Sequence, residues 1–312
     1  MNLPENLTLR LDELEERYGI KALKSAAETL SLAYREGVRD GRSHLSGEVS
    51  AAAYAISRMP ATFGAVSTAL KYINQLVDLE EIESLLDVGA GMGTASLAIR
   101  ECTELSRNTL IERDSDMLNL GRSFLDADWI KGDSRTTQYP TSDMVVSSYM
   151  LNELSRENRL PTVEKMWKAA GKLLLIVENG TPKGYEIIKE IREWAKGEGI
   201  SIAAPCPNVE KCPMDGDDWC HFTCRVARSR THKLLKGGDA PYEDEKFTYI
   251  ALSREKATGV GSRVLRHPKI ESGKITLSLC TEKGMETAVV TKKDKAAFKA
   301  ARKASAGDGF NL

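Results

Sequence analysis

Four of the six cysteines of this 312-residue chain lie within nineteen residues, between prolines and acidic residues. Cys206, Cys212, Cys220 and Cys224 have the spacing Cys-x5-Cys-x7-Cys-x3-Cys. Thiols this close together in a chain with cytosolic features are usually metal ligands rather than disulfides. The spacing lacks the paired Cys-x2-Cys of zinc ribbons and the Cys-x2-Cys-x2-Cys run of bacterial ferredoxins. It therefore predicts a site for a soft metal without naming the metal, and Cys206 is interpreted as a ligand rather than a nucleophile.

A glycine-rich turn is the second group of residues that could take part in ligand binding. The apolar run Leu85–Val88, which contains Asp87, is followed by Gly89, Gly91 and Gly93. Glycines at such a turn let the backbone approach a ligand closely, and the next helix offers unpaired N–H groups. The dinucleotide-binding fingerprint is Gly-x-Gly-x-x-Gly, whereas the pattern here is Gly-x-Gly-x-Gly. The spacing therefore favours S-adenosylmethionine as the cofactor.

Two further acids follow the next two predicted strands. Glu112 closes an apolar run about twenty residues beyond the glycine turn, and Asp133 follows the third strand. Ligands of such sheets bind at the carboxyl ends of the strands. We therefore expect Glu112 to bind the ribose hydroxyls and Asp133 to accept a hydrogen bond from the adenine amino group, with Asp87 completing the site.

No catalytic residue can be assigned from the sequence. Methyltransferases that act on base amino groups usually carry an Asn/Asp-Pro-Pro-aromatic run after the fourth strand, but this chain has Ser147–Leu154 there. The four histidines, at positions 44, 221, 232 and 267, are too scattered to support a Ser/His/Asp triad. Whether the chain is an enzyme is left open at this stage.

The order of predicted elements indicates an α/β fold from Ser84 onward. Apolar runs alternate with amphipathic stretches, a pattern typical of a doubly wound sheet. Seven strands with a long excursion before the last match the class I methyltransferase (Rossmann-like) layout, in which the final strand inserts antiparallel. The strand candidates are Leu85–Gly89, Thr109–Arg113, Trp129–Gly132, Met144–Tyr149, Leu173–Glu178, Ile200–Ala204 and Phe247–Leu252. The helix candidates are Thr94–Glu104, Asp116–Leu125, Pro161–Ala170, Gly184–Lys196 and Arg225–Leu235.

The two ends of the chain differ from this middle part. Residues 1–80 are predicted to form a helical region, with a turn at Arg39–Ser43 and a helix break at Pro60. The methyltransferase domain is expected over 81–255, with a Cys-rich insertion at 204–224. Residues 256–312 are predicted to form a small β-rich module, and 256–303 contain twelve Lys/Arg against four Asp/Glu.

Bulk composition is that of a soluble globular protein, with 41% apolar and 29% charged residues. Lys+Arg 44 against Asp+Glu 45 gives no overall charge argument for nucleic acid. We see neither a signal peptide nor an uncharged apolar stretch of about 18 residues, the length that a membrane span needs. The expectation is a cytoplasmic monomer without a membrane segment.

Several separate blocks resemble one known family, the methyltransferase-like proteins of small-ribosomal-subunit assembly, which occur in mitochondria and have prokaryotic relatives. The likeness extends from about residue 50 to the C-terminus. The blocks that carry it are Arg58–Thr62, Leu86–Thr94, Val177–Gly184, Ala204–Pro207, Cys212–Pro213, Asp218–Phe222 and Tyr242–Phe247.

This resemblance implies a class I methyltransferase fold with a four-iron four-sulfur cluster. The implied ligands are Cys206, Cys212, Cys220 and the distant Cys280, while Cys224 is left out. It further implies binding to the rRNA and proteins of the small ribosomal subunit during assembly, with methyl transfer in doubt. Such a cluster would attach the basic C-terminal module to the sheet.

Two alternatives stay open at the level of sequence. The chain could be an active rRNA methyltransferase, or a small-molecule methyltransferase that carries a structural zinc ion instead of a cluster. The basic segment 256–303 argues against the small-molecule alternative.

Overall fold

The computed structural model describes residues 1–35, 47–207, 210–214, 216–256 and 260–310. The predicted turn at Arg39–Ser43 lies outside these residues. The helices are α1 (Glu5–Tyr18), α2 (Ile20–Arg35), α3 (Glu48–Ile73), α4 (Thr94–Arg100), α5 (Ser115–Phe124), α6 (Arg156–Ala169), α7 (Pro182–Gly197), α8 (Arg230–Lys236) and α9 (Lys295–Lys303). The strands are β1 (Ser84–Val88), β2 (Arg107–Glu112), β3 (Asp128–Lys131), β4 (Ser142–Ser148), β5 (Ala170–Asn179), β6 (Ser201–Ala204), β7 (Phe222–Ala227), β8 (Tyr242–Ser253), β9 (Ser262–Val264), β10 (Lys269–Glu271), β11 (Lys274–Thr281) and β12 (Gly284–Thr291).

The larger sheet has the strand order β3-β2-β1-β4-β5-β8-β6, and β7 pairs with β8. β1 runs parallel to both β2 and β4, and β2 runs parallel to β3. β8 instead pairs antiparallel with β6. A mainly parallel sheet whose last core strand inserts antiparallel beside β6 confirms the predicted class I methyltransferase fold.

The chain divides into two compact units. The first comprises residues 1–68, 79–174 and 224–245, and the second comprises residues 69–78, 175–223 and 246–312. The three-part division made from the sequence, at 80 and 255, stays a prediction. The cofactor cavity described below belongs to the first unit, and the cysteine cavity belongs to the second.

Two local predictions were wrong. The break expected at Pro60 does not occur, because α3 continues through it and buries an alanine-rich face. An interior proline removes one backbone hydrogen bond, a loss that the packing of α3 offsets. The helix expected over Arg225–Leu235 begins only at Arg230, since Phe222–Ala227 form β7. The alternating burial of β7 is a two-residue period, which is typical of a strand.

The second unit contains the predicted C-terminal β-rich module. Its small sheet has the order β10-β11-β12, and β9 pairs with β11. The sequence of this module predicts short strands at Val260–Leu265, Lys274–Cys280 and Glu286–Val290 and a Lys/Ala helix at Lys293–Ala304. Strands β9, β11 and β12 and helix α9 overlap these ranges, whereas β10 was not expected. The core of this module consists of Val264, Ile275, Leu277, Leu279, Val290, Ala301 and Phe310.

Nowhere in the described ranges does a helix combine the length and the apolar character that crossing a membrane requires.

Candidate cofactor cavity and cysteine cavity

The glycine turn after β1 adopts the backbone conformation that only glycine takes readily. Gly89, Gly91 and Gly93 have φ angles of 70°, 56° and 79°. A Cβ atom built on Gly91 would meet nothing within 4 Å, so this residue faces open space. The backbone of the turn is therefore exposed to whatever fills the adjacent cavity.

Glu112, at the end of β2, closes the turn from the other side. Its Oε2 accepts a hydrogen bond of 2.8 Å from the Gly91 N–H, and its Oε1 accepts one of 2.6 Å from the Asp114 N–H. Burial raises the pKa of Glu112, while these backbone hydrogen bonds oppose the shift. A carboxylate has about four acceptor positions, and the N–H groups of Gly91, Arg113 and Asp114 leave about one of them for a ribose hydroxyl.

Asp133 lines the same cavity, and its carboxylate is hydrogen-bonded to an arginine. Arg135 donates to its two oxygens at 3.0 and 2.8 Å, and Arg113 lies 3.9 Å away. The hydrogen bond from Arg135 is the main reason that the pKa of Asp133 falls to about 2. The side chain is therefore ionised, and its contact with an adenine amino group stays a prediction.

Asp87 is fully buried and does not line the cavity. Its Oδ2 accepts hydrogen bonds from the Ser96 hydroxyl at 2.8 Å and from the Ser96 N–H at 3.2 Å. Burial raises its pKa to about 7, against the effect of the Ser96 hydrogen bonds. Asp87 thus holds the first turn of α4 against β1 and positions the glycine turn indirectly.

The cavity beside these residues has a volume of about 120 Å³. It is lined by the glycine turn, by Glu112 and Asp133 after β2 and β3, and by Tyr149 and Met150 after β4. The carboxyl ends of four strands, β1 to β4, therefore meet at one opening. Of the six residues assigned to cofactor binding from the sequence, four line this cavity and two, Asp87 and Gly93, do not.

Tyr149 was missed by sequence reasoning, although it stands where methyltransferases commonly place catalytic residues. Its φ is 58°, which is rare for a bulky residue and marks strain that surrounding contacts must hold. The Tyr149 hydroxyl donates to Glu245 at 3.2 Å, and Arg58 pairs with the same carboxylate at 3.2 Å. Burial raises the pKa of Tyr149 well above its ordinary value, so the phenol stays protonated.

The second cavity, of about 40 Å³, lies in the second unit and is lined by four thiols. These belong to Cys206, Cys212, Cys220 and Cys280. Every pair among the four is close enough for the charge of one thiolate to act on the other. The structure thus brings Cys280, on β11, together with three cysteines of the loop that follows β6.

Burial is the largest influence on the pKa of three of these thiols. It raises the pKa of Cys206, raises that of Cys220 strongly, and raises that of Cys280 to about 12. The hydroxyl of Tyr185 lies 3.2 Å from the sulfur of Cys212, and Arg192 forms a hydrogen bond with Cys206. Without a metal the thiols of Cys206, Cys220 and Cys280 therefore remain largely protonated, although polar donors stand beside the sulfurs.

Cys224 is not among the residues that line this cavity. It is buried on β7 in the first unit, where its sulfur would lie 3.1 Å from a Cβ atom built on Gly64. Burial raises its pKa to about 12. Its surroundings are those of a core residue.

Four thiols around one small space are a ligand set for an iron–sulfur cluster. Within the described ranges, no three His, Cys, Asp or Glu side chains converge in a way that could hold one metal ion. The thiols instead surround a volume, and in a four-iron cluster each iron takes a single thiolate. The donor set thus fits a cluster chemically, and its occupancy stays a prediction.

Comparisons with known proteins find curated relatives whose names describe them as mitochondrial. It is 27% identical over 292 residues to the human protein named "Ribosome assembly protein METTL17, mitochondrial", covering 82% of this chain and 61% of that protein. It is 24% identical over 326 residues to the fission yeast "Rsm22-cox11 tandem protein 2, mitochondrial", covering 83% of this chain and 43% of that protein. The chain therefore spans less than two thirds of the length of these curated relatives.

Among solved structures, the plantazolicin methyltransferase BpumL with bound SAH aligns at a TM-score of 0.45 and 14% identity, over 78% of this chain and 100% of that one. The magnesium protoporphyrin IX methyltransferase of Synechocystis PCC 6803 with bound SAM aligns at a TM-score of 0.42 and 12% identity, and the alignment covers 81% of this chain and 99% of that one. The fold assignment above rests on strand order instead. The family model described as "Mitochondrial small ribosomal subunit Rsm22" matches residues 48–311. Because this match covers most of the chain, the protein belongs to the Rsm22 family.

Proposed function

We propose that this protein is an assembly factor of the small ribosomal subunit that contains an iron–sulfur cluster and binds rRNA on a methyltransferase fold. The observation that carries the proposal is the family match over residues 48–311. The name of the human relative, a ribosome assembly protein, supports the same role. An assembly factor of this kind could act by binding alone, without methyl transfer.

The proposed cofactor of the first unit is S-adenosylmethionine. Support comes from the open face of Gly91, from the Glu112 carboxylate behind it, and from a cavity of about 120 Å³ at the strand ends. In this proposal Glu112 binds the ribose hydroxyls, and the N–H groups at the start of α4 face the anionic end of the cofactor. Bound cofactor would stabilise the first unit by an amount that rises with the logarithm of the cofactor concentration once that concentration exceeds the dissociation constant.

The proposed group of the second unit is a four-iron four-sulfur cluster held by Cys206, Cys212, Cys220 and Cys280. Its support is that all four thiols line one cavity and act on one another electrostatically. When bound, such a cluster supplies a rigid cross-link and a one-electron redox centre. The four thiolates would join the loop after β6 to strand β11 within the second unit.

The proposed rRNA contact is the basic segment at the C-terminus. Helix α9 exposes Lys295, Lys299, Arg302 and Lys303, and Lys292 and Lys293 are exposed just before it. Phosphate contacts from such residues give affinity that falls with rising salt. A mixed charge over the whole chain and a local excess of Lys/Arg are compatible with binding through this segment alone.

Active methyl transfer to rRNA is a second candidate, favoured by one observation. Tyr149 is held in a strained left-handed conformation on the wall of the cofactor cavity, at the carboxyl end of β4. Strain of this kind is concentrated at functional sites. Methyl transfer to purified small subunits that is lost in Tyr149→Phe and Gly91→Arg would favour this candidate over a factor that acts by binding alone.

The proposal is tested by anaerobic purification followed by iron, sulfide and zinc analysis, a visible spectrum and sedimentation with small ribosomal subunits. We expect a brown protein with about four iron atoms per chain that sediments with the subunits. Cys280→Ser should lose the colour and expose the C-terminal segment to protease. The matched control is Cys224→Ser, which should keep the brown colour and leave the C-terminal segment resistant to protease. A zinc protein that does not bind the subunits would contradict the proposal.

A further inference from the structure

Two fully buried side chains of the second unit carry hydrogen-bond donors without a protein partner. Arg263 is 1% exposed and Tyr249 is 0% exposed. Neither the Nη2 of Arg263 nor the hydroxyl of Tyr249 has a hydrogen-bond partner among the described residues. Both residues line the cavity of the four thiols.

The other nitrogens of Arg263 are already occupied. Nε donates to the Pro205 carbonyl at 3.0 Å, and Nη1 donates to the Gly307 carbonyl at 2.8 Å. These two bonds hold the guanidinium between the start of the cysteine loop and the end of the chain. Among the described residues, Nη2 is therefore the guanidinium nitrogen that remains able to donate to a group in the cavity. Its charge also acts on the thiols of Cys206 and Cys280.

Unpaired buried donors are rare in native proteins because each one keeps its full desolvation cost. Two of them on the wall of a single small cavity indicate that the cavity normally contains an acceptor. Four of the residues that line the cavity are cysteines, and a protonated thiol sulfur is a weak acceptor. An anionic, sulfur-rich guest would pair both donors.

We propose that Arg263 and Tyr249 are positioning residues that donate hydrogen bonds to sulfur atoms of the cluster and thereby raise its reduction potential. This inference rests on the cluster of the proposed function. Donors next to a cluster stabilise its more negative, reduced form more than its oxidised form. The expected consequence is a centre that accepts one electron more readily than one surrounded by apolar side chains.

The cleanest test is Tyr249→Phe in the reconstituted full-length chain, because it removes only an oxygen that has no protein partner. The midpoint potential is measured by anaerobic titration with mediator dyes, which supply the electron. We expect a more negative midpoint, equivalent to a roughly two- to tenfold smaller equilibrium constant for reduction, as for loss of one ordinary hydrogen bond.

Tyr72→Phe is the matched control. The Tyr72 hydroxyl donates to the Ala306 carbonyl at 2.7 Å, and the Tyr72 ring lies 6.3 Å from the ring of Tyr249 in the same aromatic cluster. Tyr72 does not line the cavity. Its loss should therefore lower the melting temperature without moving the midpoint. Arg263→Lys keeps the positive charge but removes the planar guanidinium with its Nη2 donor. It should shift the midpoint potential in the same direction as Tyr249→Phe.

The outcomes separate this inference from the function on which it depends. If the wild-type protein is brown and neither Tyr249→Phe nor Tyr72→Phe changes the midpoint potential, the inference is overturned while the proposed cluster still stands. A wild-type protein that binds no iron and sulfide after reconstitution would overturn both. A midpoint that moves in Tyr249→Phe and not in Tyr72→Phe would support the hydrogen bond to the cluster.

Discussion

The buried carboxylate of Asp87 makes the stability of this protein depend on pH in a direction opposite to that of most acids. The side chain is inaccessible to solvent, and in the part of the chain that the structure describes it accepts hydrogen bonds from the N–H and hydroxyl of Ser96. Burial raises its pKa to about 7, whereas an unfolded aspartate has a pKa of about 3.9. The folded state therefore holds a proton that the unfolded state releases.

The sign and size follow from linkage. Between about pH 4 and pH 7 the folded chain binds more protons than the unfolded chain, so the free energy of unfolding falls as the pH rises. The stabilisation is fully present below the unfolded pKa and is lost as the pH passes the folded value. A difference of about 3 in pKa corresponds to about 4 kcal/mol, of which about 3 kcal/mol is lost between pH 5 and pH 8.

Asp87→Asn tests this reasoning because asparagine has the shape of the protonated acid and cannot ionise. Urea unfolding at pH 5 and pH 8 gives the free energy of unfolding of each protein. We expect the variant to gain about 3 kcal/mol relative to wild type between these two pH values. An equal difference at both pH values would refute the buried-acid interpretation.

Asp143→Asn is the control for that measurement. Burial acts to raise the pKa of Asp143, but hydrogen bonds from Ser84 and from the Glu83 N–H bring it below its ordinary value. Its stabilisation is present above the unfolded pKa and is lost only in stronger acid. The free-energy difference between Asp143→Asn and wild type should therefore stay the same from pH 5 to pH 8.

Three further outcomes follow from the cavity, the packing and the charge. Gly91→Ala should abolish S-adenosylmethionine binding in calorimetry, because φ is 56° and the new methyl group would enter the cavity. Gly121→Ala should lower the free energy of unfolding by about 1–3 kcal/mol in urea, since its Cβ would lie 2.4 Å from the Trp129 ring. Lys295→Glu with Lys299→Glu should weaken rRNA binding and flatten its salt dependence in filter assays, and an unchanged slope would exclude α9 from the contact.

Much of the fold was predictable because the strands carry strong local patterns. The apolar run of β1, the glycines after it and the acid at the end of β2 each depend on neighbouring residues, so their interpretation does not need the tertiary structure. The errors arose where tertiary context outweighed local preference. Pro60 lies inside α3, and the residues of β7 alternate over too short a stretch to be distinguished from a helix.

The cysteine site shows where sequence reasoning ends. Spacing alone grouped Cys224 with its three neighbours, since distance along the chain was the only measure of proximity. The replacement of Cys224 by Cys280 came from family resemblance. Cys280, on β11, lines the same cavity as the loop cysteines, and its role as a ligand stays a prediction.

No local pattern marks Arg263 and Tyr249 as special. Arg263 lies in a segment rich in Lys and Arg, where an arginine is normally exposed, and Tyr249 lies in an apolar strand, where a tyrosine is normally core. Their role becomes visible only when each donor is counted against its partners. That count needs the fold, because Pro205 and Gly307, which occupy two nitrogens of Arg263, are 58 and 44 residues away in the chain. The donors left over then point to a guest with acceptor atoms, which makes the reduction potential a test of residues that stability measurements alone would class as core.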